Sequence, residues 1–141
     1  MNGQSCAAVR LLLLDGGGTS LRVTGRSMGP LYPEGGSVGV RPFHGRPVPG
    51  RCYIFIDRDA LFLHRCLSVQ ADTALFIGDR CNAAQRVDRC CVIGEPAVRF
   101  SGVERPIHLL NLAFGGLLRH GWARAARSRL ISAVYLCSVG R

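Results

Sequence analysis

Ser27, His64 and Asp79 are the residues whose types and order could do chemistry together. They are a hydroxyl, an imidazole and a carboxylate, the group types that nucleophilic and acid–base chemistry uses. Taken singly, each has a plainer reading. Ser27 lies between Gly25 and Pro30, the composition of a sharp bend past a strand, and an ordinary turn serine fits there. His64 shares one face of an expected strand with Phe62 and Cys66, where a half-buried sheet histidine is the usual outcome. The case for chemistry rests on the three stretches taken together.

The make-up of the charge narrows the choice of base. The chain has 141 residues and a net charge of +9, and all 18 of its basic residues are arginine. Arginine effectively never deprotonates, so a lysine general base or Schiff base is excluded. A base must come from His44, His64, His108, His120 or a carboxylate. The arginines are scattered, with one local cluster at Arg119, Arg124, Arg127 and Arg129. No helix-turn-helix signal or aromatic platform accompanies them, so they read as solvated surface and no nucleic-acid partner is expected.

Other classes fall away on spacing. The 7 cysteines include no Cys-x-x-Cys pair, so they read as small half-buried thiols in a reducing compartment, with no metal and no cofactor expected. Gly16-Gly17-Gly18 is not followed by a phosphate-loop lysine. The apolar runs 11–14 and 107–118 fall short of the roughly twenty residues that cross a bilayer. The expectation is a cytoplasmic protein without an export signal, in contact with a membrane surface if its C-terminal segment lies on lipid.

Strands are expected at 21–23, 38–41, 52–56, 61–69 and 74–77, with 52–56 and 61–69 forming a hairpin across Asp57-Arg58-Asp59. The stretch 9–14 fits a strand or a short helix. Residues 80–91 read as irregular. Gly94 and Pro96 make 92–100 a bent or edge strand. After Pro106 the pattern turns helical, with a break near Gly115-Gly116 or Gly121. Trp122, Ala125, Ala126, Ile131, Val134 and Tyr135 are expected along one side of the second helix. The domain plan is a β-rich unit over 1–106 and a helical extension over 107–141.

The order Gly25-x-Ser27-Met28-x-Pro30, His64-Arg65, Gly78-Asp79, Ile93-Gly94 resembles the type I signal peptidases and the self-cleaving SOS repressors, over residues 21 to about 100. The resemblance implies a mainly β catalytic domain of that kind with a C-terminal helical segment. It implies a serine endopeptidase that cuts a leader or signal segment from a polypeptide substrate, with small side chains before the cut. In the common form the base is a lysine preceding an arginine. Here His64 precedes Arg65, which resembles the histidine-containing, endoplasmic-reticulum-type branch. Ser27 would be the nucleophile and His64 the base. Asp79 is the best candidate for the orienting carboxylate. Gly25, Met28 and Pro30 would shape the nucleophile turn and its oxyanion site, served by the Ser27 N–H. The histidine branch carries a further aspartate, whose position falls near Gln85 here, and the next carboxylate is Asp88. The alternative is a relative that kept the fold and holds a peptide by strand addition without cutting it.

Overall fold

The computed structural model describes residues 3–139. A helix, α1 (Gly3–Leu14), opens the chain and stops at Asp15-Gly16. Val9 and Leu13, four residues apart, are buried on one face of it, and Leu11, Leu12 and Leu14 are exposed.

Seven strands follow: β1 (Thr19–Arg22), β2 (Ser37–Pro42), β3 (Cys52–Asp57), β4 (Ala60–Val69), β5 (Thr73–Ile77), β6 (Gln85–Asp88) and β7 (Val92–Pro96). They form one antiparallel sheet in the order β1-β2-β7-β3-β4-β5-β6. The expected hairpin is β3–β4. Its two-residue turn, Arg58-Asp59, has positive φ at both positions (48° and 58°), the twist that joins antiparallel strands most tightly.

Side chains alternate across β3 and β4 and divide the core. Cys52, Ile54, Leu61 and Leu63 join Val38, Val40 and Ile93 in a cluster that also takes in Val9, Leu13, Val103, Ile107 and Ile131 from the helices. Tyr53, Phe55, Phe62 and Cys66 join Phe76, Val87 and Val92 in a second, aromatic cluster. Each strand thus faces apolar neighbours on both sides.

Two strand expectations need correction. Residues 85–88 form β6, paired along β5, rather than an irregular stretch. β7 is not an edge strand, since it lies between β2 and β3. Pro96 is its last residue, so the missing N–H interrupts little. Gly94 is packed so closely that a Cβ there would stand 2.7 Å from Val40 Cγ1.

The sheet framework is followed by a C-terminal helical segment, as expected, but that segment starts earlier. α2 (Ser101–Phe114) includes Pro106, so the anticipated boundary at 106 falls inside a helix. Proline removes one i→i−4 hydrogen bond, and burial of Val103 and Ile107 on either side of it offsets the loss. After a short 3-10 turn (Gly115–Leu117) comes α3 (Gly121–Val139). Its buried side carries Ala123, Arg127 and Ile131, with Val134 and Tyr135 half-buried. Of the expected stripe, Ile131 is buried and Ala126, Val134 and Tyr135 are half-buried, but Trp122 is 62% exposed and Ala125 is exposed, and Ala123 and Arg127 take the buried positions of the first turns. Among the described residues no helix is long and apolar enough to cross a membrane.

Ile107 is fully buried in the cluster shared by sheet and helices. Ile107→Ala is expected to lower unfolding free energy by about 2–5 kcal/mol in urea denaturation, the range for a buried aliphatic truncation. A change under about 0.5 kcal/mol, the range of a surface substitution, would mean that α2 does not belong to the core.

Candidate active site

Ser27 follows β1 on a bend. Gly25 before it has φ +83°, the left-handed region, and Met28 after it is buried in the sheet–helix cluster. The bend is tied to the stretch after β5. The Ser27 carbonyl accepts the Arg80 N–H at 2.9 Å, and Met28 Sδ accepts the Asp79 N–H at 3.4 Å. Gly78 makes this approach feasible, since a Cβ there would lie 2.9 Å from Ser27 Cβ and 2.6 Å from Cys81 Sγ. Pro30 is half-buried further along the same turn.

His64 lies on β4, opposite Tyr53 of β3, and it is buried. Its ring packs against Phe55 and Phe62. Its Nε2 stands 3.3 Å from Ser27 Oγ. The two residues that carry the nucleophile-and-base reading are therefore in contact, 37 positions apart in sequence. Burial pulls the imidazole below its ordinary value, against smaller upward pushes from the Gln85 side chain and the Asp79 charge. The ring is neutral at pH 7 and able to accept a proton.

Asp79 does not orient His64 by a direct hydrogen bond. Arg65 grips its carboxylate in a two-pronged pair, Nε to Oδ1 at 2.8 Å and the second terminal nitrogen to Oδ2 at 2.7 Å, and Asn111 Nδ2 adds a bond to Oδ1 at 3.1 Å. The reason is strand geometry. Arg65 is the next residue after His64, so its side chain leaves the opposite face of β4, and Asp79 lies with it. Arg65 also donates to the Gly50 carbonyl at 2.7 Å. Beyond Asn111, Arg127 donates to the Asn111 amide oxygen at 3.3 Å and to the Cys81 carbonyl. The expected role of Asp79 is corrected to structural pairing, with only a distant charge effect on His64.

Asn111 and Arg127 complete this buried network, and Arg127, expected among the solvated arginines, is instead buried. The one visible signal was an amide inside the apolar run 107–118. Asp88, the other carboxylate considered for His64, is exposed on β6, opposite Thr73.

An apolar cavity of about 410 Å³ opens beside the pair, walled by Leu21, Val23, Val38, Ile54, Leu61 and Leu63. Cys81 shares this wall, but burial raises its thiol, so it stays protonated and is a poor rival nucleophile. Burial pushes Cys52 and Cys66 up to about 12. Among the described residues the cysteines are free thiols and no acidic, histidine and cysteine side chains cluster as a metal site would require.

No protein-family model matches this chain, and no curated protein matches it in sequence.

Removing one partner of a buried pair strands the other charge. Asp79→Ala is expected to cost about 3–5 kcal/mol in urea denaturation, and Arg65→Met combined with Asp79→Leu to recover most of it. An Asp79→Ala protein as stable as the parent would contradict this account of the network.

Proposed function

We propose that the chain is a serine endopeptidase of the signal-peptidase kind, with Ser27 as nucleophile and His64 as base. The 3.3 Å approach of His64 Nε2 to Ser27 Oγ, at the edge of an apolar cavity, carries the reading. The Ser27 O–H bond breaks and its proton passes to Nε2 while Oγ bonds to the scissile carbonyl carbon. The imidazolium returns that proton to the leaving amine nitrogen as the C–N bond breaks. Water then attacks the Ser27 ester, giving a proton to Nε2, and Ser27 recovers it as the acid product leaves. The Ser27 backbone N–H serves the oxyanion.

β1 is at the edge of the sheet, and Leu21 to Thr24 line the cavity. An extended peptide pairing with this edge would run past Ser27 while its apolar side chains enter the cavity. The exposed Trp122 and Leu136 of α3, among Arg124 and Arg129, favour contact of this helix with an anionic lipid surface. One observation favours the second reading, a peptide-holding relative that cuts slowly: among the described residues His64 Nδ1 has no hydrogen-bond partner, and Asp79 bonds elsewhere.

The test is a peptide-library digest read by mass spectrometry. Discrete internal cleavage is expected, reduced at least about a thousandfold by Ser27→Ala or His64→Ala. Cleavage that survives Ser27→Ala would overturn the assignment. Peptide capture without cleavage would favour the second reading.

The lowered imidazole also fixes a pH signature. The acid limb of kcat/KM is expected below pH 6.5, the ordinary imidazole value. Because the unfolded chain takes the proton first, His64 also withdraws stability as pH falls below that value. An acid limb above pH 7 would contradict a buried neutral base.

A further inference from the structure

We propose that Gln85, fixed by Asp57, is the residue that positions His64, holding the proton of the neutral imidazole on Nδ1 so that Nε2 faces Ser27 bare. The inference rests on the reading of Ser27 and His64 as nucleophile and base.

Gln85 begins β6 and is half-buried. Its Nε2 donates to Asp57 Oδ2, the last residue of β3, at 3.2 Å. An ionised carboxylate only accepts hydrogen bonds, so this contact dictates which way the amide lies: NH₂ to Asp57, carbonyl oxygen away from it. That oxygen, Gln85 Oε1, is buried without a partner, and so is His64 Nδ1. The Gln85 side chain is also the strongest hydrogen-bonding neighbour that favours a protonated His64 ring. Two orphaned buried atoms, an acceptor and a ring nitrogen able to donate, thus belong to side chains on one face of the sheet: Gln85 pairs with Phe76, and Phe76 with Cys66, two residues on from His64. A bond between them would satisfy both atoms, and leaving both unpaired is costly.

The bond selects a tautomer. A carbonyl can only accept, so Nδ1 must carry the proton. Nε2 is then left with its lone pair toward Ser27 Oγ. An amide does this without placing a full negative charge on the ring, which suits an imidazole that stays below its ordinary value. Asp57 acts at one remove, by keeping the amide from turning over. Asp79 does not share the task, since its hydrogen bonds go to Arg65 and Asn111 on the other face of β4.

The test is nitrogen-15 NMR of histidine-labelled full-length protein at alkaline pH, where the imidazoles are neutral. The His64 signals are assigned by their loss in His64→Ala. The parent is expected to show the Nδ1–H tautomer. Gln85→Leu, which removes the acceptor, and Asp57→Asn, which frees the amide to turn over, are expected to shift His64 toward Nε2–H. Both are expected to lower kcat by at least about tenfold with KM little changed. An Nε2–H ring in the parent, or an unchanged tautomer in Gln85→Leu, would overturn the proposal. The spectrum needs no turnover, so the two readings fail separately. A Gln85-dependent tautomer without cleavage sinks the peptidase and spares the positioning role. Cleavage with a Gln85-independent tautomer does the reverse.

Discussion

The buried pair of Arg65 and Asp79 is the contact on which the rest of the arrangement depends. Arg65 and Asp79 are both fully buried, and their two parallel hydrogen bonds fix distance and orientation together. Because side chains alternate along a strand, locking Arg65 on one face of β4 aims His64 at the other. Asp79 in turn belongs to the segment whose backbone holds Met28 and the Ser27 carbonyl. One ion pair therefore bolts the strand of His64 to the turn of Ser27. Asn111 and Arg127 extend the same network into α2 and α3, which makes the helical segment a brace for the site.

Burial then sorts the chemistry. The low-dielectric surroundings that make the Arg65–Asp79 pair strong also disfavour charge on His64, which keeps its imidazole below the ordinary value. The same burial holds the Cys81 thiol protonated beside Ser27. Serine is the group that profits from an adjacent base, because its proton leaves only as the new bond forms. A lysine-free chain can run such a reaction only through histidine or a carboxylate, and the histidine in contact with Ser27 is His64.

Local signals made much of this legible in the sequence. The β3–β4 hairpin announced itself by alternation and a short polar turn, and the contact of Ser27 with His64 followed from two short motifs. Long-range pairing hid the rest. Gly94 and Pro96 argue for a bent or edge strand; the strand is interior, with a register shift against β3, because a missing side chain that weakens an isolated strand also admits Val40. The N-terminal half of the buried face of α3 escapes the pattern because it carries Arg127, whose charge is met by Asn111 and a carbonyl that no local pattern reveals. Asp79 looked like the partner of His64 because the pattern named the residues without the faces of the strand. Gln85 stood where a carboxylate was sought, and its link to Asp57 crosses 28 positions.

The most direct measurement is tandem mass spectrometry of the protein after treatment with a fluorophosphonate, in the parent and in His64→Ala. The account predicts one adduct, on Ser27, that forms faster as pH rises through the imidazole titration and is lost without His64. An adduct on another residue, no adduct at all, or a Ser27 adduct indifferent to His64 would contradict a nucleophile activated by this base.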